Sequence, residues 1–168
     1  AITRGTLSND DFDGEMDDVS YHIESIEEKG LPIDPINAYN LFAIYLRWCI
    51  EHDLMGEDFL NEYGEVAKQV KADPASVDLR AFIRDKLNGQ IMVPMFNKIG
   101  RAFTSYYYGE PDSPNFPRDI ENYALEYLGP EKYYSDEFQF KAPLFIPFDE
   151  DYYQAMAKVI EERFTNWQ

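Results

Sequence analysis

Two histidines and one cysteine are all the nitrogen and sulfur ligand chemistry in this chain. That scarcity excludes a multi-histidine zinc or iron centre and a thiolate cluster. The lone cysteine, Cys49, has no partner for an internal disulfide, which fits a reducing, cytoplasmic compartment. No HExxH, GxSxG, glycine-rich phosphate loop or dinucleotide fingerprint occurs, so the usual motif-borne enzyme classes find no support. No apolar run approaches the ~18 residues of a membrane span, and Ala1 to Ser20 is acidic rather than basic and then hydrophobic, so neither a span nor a secretory signal is expected. Basic residues are also few. Fifteen Lys and Arg stand against 32 Asp and Glu, for a formal charge of -17. Such a surface repels phosphate backbones and anionic lipid, so direct nucleic-acid or membrane binding is not expected; it attracts basic proteins instead.

The chain is rich in aromatics, with 13 Tyr and 12 Phe in 168 residues, enough apolar area for a substantial core in one domain. The best-patterned stretch is Asn37 to Asp53. Ala38, Leu41, Phe42, Tyr45, Trp48 and Cys49 recur at helical spacing, and Ile44 and Leu46 widen the stripe, which predicts a helix touching core on more than one side. Asp34 and Pro35 supply its start as N-cap and first helical residue. Further helices are predicted over Glu57 to Ala72, over a segment with Leu79, Phe82, Ile83 and Leu87 ending at Asn88-Gly89, over Ile91 to Tyr108 beginning near Pro94, over Asp119 to Leu128, and from Asp149 onward with Tyr153, Met156, Ala157, Ile160, Phe164 and Trp167 as its stripe. Residues 18–29 fit a helix or a strand equally well. Phe138 and Phe140 alternate with Gln139 and Lys141, which predicts an extended or strand segment near 137–147. The expected fold is a mainly α, single-domain bundle of about five or six helices spanning residues 1–168, with 1–17 as a flexible acidic arm.

Three constellations invite chemistry. Asn9, Asp11, Asp13 and Gly14 match the first, third, fifth and sixth positions of an EF-hand loop and Asp17 the ninth, but the twelfth, which needs a bidentate Glu, is Ser20. The run reads better as a solvated acidic loop, and no metal or cofactor is expected. Cys49 and His52 are three residues apart, yet Cys49 sits on the apolar stripe and reads as core. Ser20 and His22, on an extended segment, would share a face as nucleophile and base, a hydrolase alternative to the non-enzymatic reading favoured here.

The tyrosines are distributed unusually. Tyr106, Tyr107 and Tyr108 precede the proline-rich loop Gly109 to Pro117, Tyr133 and Tyr134 follow Pro130, and Tyr152 and Tyr153 start the last helix, each group beside acids. Three consecutive tyrosines span most of a helix circumference, so one of the first group should reach the surface unless another element covers it. Tyrosine next to carboxylate suits the grip on a basic protein: the ring supplies area at low entropic cost and the acid pairs with Lys or Arg.

Asp17 to His22 (DDVSYH), the FAIYLRW helix followed by IEHDL, and the closing IEERFTNW resemble a group of small bacterial proteins that open on Asp-Asp-x-Ser-Trp-His and end on a helix with Arg-aromatic-x-x-Trp. Tyr21 stands where Trp is usual and Leu41 where His is expected. That group is similar to the immunity proteins encoded beside polymorphic or contact-dependent growth inhibition toxins. The resemblance implies a cytoplasmic antitoxin, monomeric or a weak homodimer when free, that occludes a cognate basic toxin such as a nuclease; the alternative is a non-enzymatic adaptor or homo-oligomeric subunit. The partner-binding candidates are Tyr107, Tyr108, Glu110, Asp112, Tyr133, Tyr134, Asp136 and Glu137.

Overall fold

The computed structural model describes residues 15–18, 20–109, 115–138 and 141–168. Among them the chain is a mainly α, single-domain bundle built on the stretch from Asn37 to Asp53. A 3-10 turn, Pro35–Tyr39, leads into α2 (Asn40–Glu51), and the Asp34 carboxylate accepts a bond from the Ile36 N–H at 2.9 Å. The capping chemistry is the expected one; the first turn is tighter than an α-helix. Within α2, Phe42 to Leu46 and Trp48 to Ile50 are all buried, so the helix is covered on nearly every side. Its neighbours are α3 (Glu57–Ala72), α4 (Leu79–Lys86) and α8 (Glu150–Trp167). Polarity stops α2: Asp53 turns the chain at a φ of 57°, and Leu54 N–H then bonds back to the Cys49 carbonyl at 2.9 Å.

Short-range signals set several helix boundaries. Asp78 caps α4 by accepting from Arg80 N–H at 3.0 Å, and Asn88 and Gly89, both at positive φ, end that segment. Asp149 caps α8 by accepting from Tyr152 N–H at 2.9 Å, and Met156 and Ile160 are buried on its inner face. Asn115 caps α6 (Phe116–Leu128), which Gly129 ends at a φ of 85° before the short α7 (Pro130–Tyr133).

The structure also corrects the reading of the sequence. Residues Ser20–Lys29 form a helix, α1, which resolves that ambiguity. Positions two apart on a helix do not share a face, so the extended geometry needed for a Ser20 and His22 couple is not that of this backbone. The strand lies elsewhere than expected. Glu15–Asp18 (β1) pairs antiparallel with Gln90–Met92 (β2), whereas the described parts of 137–147 hold 3-10 turns at Asp136–Phe138 and Ala142–Phe145. The acidic arm therefore has a paired end at 15–17, and the predicted helix from Ile91 to Tyr108 begins only at Lys98 (α5, Lys98–Gly109). Leu60 on α3 and Ile99 in the segment 98–109 are 44% and 50% exposed. The calcium-like run lies outside the described residues apart from Asp17, in β1, and Ser20, in α1.

α5, α6 and α8 meet α2 through a layer of rings. Phe103 stacks on Tyr107 with centroids 5.2 Å apart and meets Phe164 edge-on at 5.0 Å, and Trp48 meets Phe164 edge-on at 5.4 Å. Close approach of α5 to the end of α2 requires Gly100, where a Cβ would lie 2.4 Å from the Leu54 carbonyl oxygen. No described helix is long and apolar enough to cross a membrane.

Candidate protein-binding face

The tyrosine pairs separate into core and surface once the elements are assembled. Tyr107 is fully buried, covered by α6, and its hydroxyl donates to Asp119 Oδ2 at 2.5 Å. Asp119, itself buried, also holds Arg163 of α8 through Nε at 3.1 Å and Nη2 at 3.0 Å. Burial first, then the Asp119 hydrogen bond and charge, push the Tyr107 phenol well above its usual value, so it stays a neutral donor. Tyr107 is thus a structural residue, not a contact residue. Tyr108 is half-buried and packs against Tyr45 at 5.3 Å and Phe116 at 5.5 Å, which also assigns it to the core edge. Tyr152 and Tyr153 are buried too. Glu110 and Asp112 lie outside the described residues, as does the side chain of Glu137.

What remains at the surface comes from α6, α7 and the start of α8. Tyr127 is 54% and Tyr134 65% exposed. Tyr134 meets half-buried Tyr133 edge-on at 4.8 Å, and the Tyr133 hydroxyl donates to Glu121 on α6. Tyr127 leans on Tyr123 at 5.9 Å, and Tyr123 stacks on buried Tyr152 at 5.0 Å. The exposed rings are therefore anchored through other rings to the core. Burial raises the Tyr123 phenol above its ordinary value, and Tyr127, Asp149, Asp151 and Glu126 raise it further, so acids from two helices converge on one ring. Burial likewise raises Tyr133, followed by its bond to Glu121. Glu131 and Asp136 add exposed carboxylates, against Lys132 on the same short segment. The Tyr133, Tyr134 and Asp136 candidates fall on this face.

Tyr123, Tyr127, Glu121, Glu126, Asp149 and Asp151 were missed. Helical spacing puts Tyr123 and Tyr127 on one stripe of α6 with Ile120, Ala124 and Leu128. A usable signal was present, since Glu126 and Tyr127 adjoin in sequence at the edge of that stripe.

A cavity of about 220 Å³ opens beside this face, walled by Leu41, Pro117, Ile120, Pro143 and Leu144, with Glu121 and Lys141 as its charged lining. A larger cleft of about 370 Å³ lies between α2, α3, α4 and α8 and contains Arg47 and Arg80. Both guanidinium groups are already engaged there. Arg47 holds Glu150 through two bonds of 2.9 Å, donates to Glu51 at 3.1 Å and lies 3.7 Å over the Tyr153 ring. Arg80 bonds Asp78, Asn37 and Asn40 and lies 4.4 Å over Phe148. With Asp78, Asp149 and Glu150 in its lining, that cleft is an interlocked joint and a poor receptor for anions.

The remaining chemical candidates dissolve on inspection. Cys49 is buried, and desolvation pushes its thiol far above the ordinary range, so it is held as an unreactive neutral group. His52 turns Nδ1 to the Trp48 carbonyl at 2.9 Å and Nε2 to Glu161 at 2.6 Å while stacking on Trp48. Among the described residues no cluster of three or more His, Cys, Asp or Glu is arranged to hold a metal.

Fold and face together define a small acidic helical protein that presents anchored tyrosines among carboxylates. The family model for a domain of unknown function, DUF7832, matches residues 15–136, and the chain belongs to that family. No curated protein and no solved structure matches it.

Proposed function

We propose that the protein is an immunity protein, which neutralises a cognate basic toxin such as a nuclease in the bacterial cytoplasm by stoichiometric occlusion. The observation that carries this reading is the anchored acidic tyrosine face of α6 and α7, with Tyr127 and Tyr134 exposed among Glu121, Glu126, Glu131 and Asp136. Carboxylates steer a basic partner during approach, and pre-ordered rings desolvate the contact at little entropic cost. The formal charge of -17 extends the same field over the whole molecule.

Co-expression with the toxic product of the neighbouring gene tests this directly. The wild type restores growth and co-purifies with the toxin as a 1:1 complex, whose association slows as salt rises. Replacing Tyr127 and Tyr134 together by Ala leaves the helical circular dichroism unchanged but weakens binding by about 30-fold or more, as expected for central aromatic anchors worth ~2 kcal/mol or above. Soluble wild-type protein that fails to protect, or a double variant that protects fully at limiting expression, refutes the proposal. A stable homodimer in sedimentation that buries Tyr127 and Tyr134 supports the adaptor or homo-oligomer reading instead.

A further inference from the structure

The cavity walled by Leu41, Pro117, Ile120, Pro143 and Leu144 is too small for an ordinary cofactor or metabolite. Its volume of about 220 Å³ lies below the ~300–1,000 Å³ of typical small-molecule sites. It has the scale of one side chain. Its walls come from three elements, α2, α6 and the 3-10 turn Ala142–Phe145, so it belongs to the packed bundle and not to one loop.

Glu121 joins this cavity to the tyrosine face. It lines the cavity, one of its oxygens accepts the Tyr133 hydroxyl, and its charge is felt at Tyr152. Tyr133 thereby fixes the carboxylate at the rim. Lys141 also lines the cavity, so the local charge is balanced at the rim, but the surrounding face, with Glu126, Asp149 and Asp151 acting together on Tyr123, is acidic. Apolar walls below a positioned carboxylate match a side chain with a long apolar stem and a cationic head. Arginine meets that description best, because its planar fork can engage a carboxylate edge and is less strongly hydrated than an ammonium.

We propose that this cavity is the socket for an arginine side chain of the basic partner, with the stem against Leu41, Ile120 and Leu144 and the guanidinium at Glu121. The inference rests on reading the adjoining face as a protein-binding surface, and it names the residue type that the surface selects.

The test uses the full-length protein and Nα-acetyl-arginine amide as probe, with Nα-acetyl-lysine amide and Nα-acetyl-norleucine amide as controls. Backbone chemical shifts report binding at millimolar concentration. The arginine probe should give saturable shifts concentrated at Leu41, Ile120, Glu121 and Leu144, with lysine weaker and norleucine weakest. Glu121→Gln, which keeps an acceptor for Tyr133 at an exposed position, should weaken the arginine probe by about tenfold, equivalent to ~1.4 kcal/mol, and leave norleucine unaffected. Leu144→Trp, which fills the cavity, should abolish all saturable shifts. Equal or tighter binding of norleucine overturns the proposal in favour of an apolar socket; scattered, non-saturating arginine shifts overturn it outright, as does an unchanged affinity in Glu121→Gln. If the arginine probe fails while the toxin complex forms, the socket falls and the immunity reading stands. If the probe binds at the cavity and growth protection fails, the reverse holds.

Discussion

The ion pair beneath the tyrosine layer gives the sharpest test of how this fold is held together. Asp119 is nearly inaccessible and accepts from both Tyr107 and Arg163, so Asp119→Ala strands a buried hydroxyl and a guanidinium at one stroke. Removing one partner of a buried pair costs ~3–5 kcal/mol. The Arg163 side chain keeps 29% of its surface exposed and can partly rehydrate, which places the expectation at the lower end, about 3 kcal/mol. Tyr107→Phe removes only a donor to a charged acceptor and should cost about 1.5–2 kcal/mol. In the double variant the Phe no longer leaves a hydroxyl orphaned, so the combined loss should fall short of the sum by about 1 kcal/mol or more. Urea unfolding followed by far-UV circular dichroism at neutral pH measures all three, and about 3 kcal/mol should appear as roughly a 6–12 °C drop in Tm for a chain of this size. A loss below ~1 kcal/mol for Asp119→Ala, or strict additivity in the double variant, would refute the assignment of this triad as a coupled unit.

Two further outcomes follow from the same packing. Burial raises the phenols of Tyr45, Tyr107, Tyr152 and Tyr153, so unfolding releases protons above the ordinary tyrosine value of 10.0. Their contribution is fully present below that pH and is lost as pH rises above it, by up to ~1.4 kcal/mol per group per pH unit. Tyrosinate absorbance at 295 nm should accordingly appear together with loss of helical signal in alkaline titration, and gradual ionisation of these rings in the folded state would contradict it. Gly100→Ala must displace backbone, because its Cβ meets the Leu54 carbonyl oxygen, and should destabilise by about 1–3 kcal/mol in the same urea assay; a neutral or stabilising effect, as expected for alanine in an unobstructed helix, would disprove the close approach.

Much of the architecture was readable before any coordinates. The bounds of α3, the cap Asp34, the start of α8 at Asp149 and its buried face all follow from short-range rules, in which a side chain satisfies a nearby backbone group or apolar residues repeat each helical turn. The strand pairing was not readable, because Glu15–Asp18 carries no apolar alternation and its partner lies some seventy residues away. The segment near 137–147 looked extended because Phe138 and Phe140 alternate with polar residues, a pattern that short 3-10 turns also accommodate.

The candidate face shows the same boundary at finer scale. Composition, charge and the helical spacing of apolar residues indicate an acidic, mainly helical chain whose tyrosines accompany carboxylates. Which of those tyrosines stay at the surface was decided by tertiary structure. Periodicity says which residues share a side of a helix, but only the neighbouring elements decide whether that side is covered. α6 covers Tyr107 and turns it into the donor to Asp119, whereas the chain leaves Tyr127 and Tyr134 open and uses Tyr123, Tyr133 and Glu121 to hold the face in place.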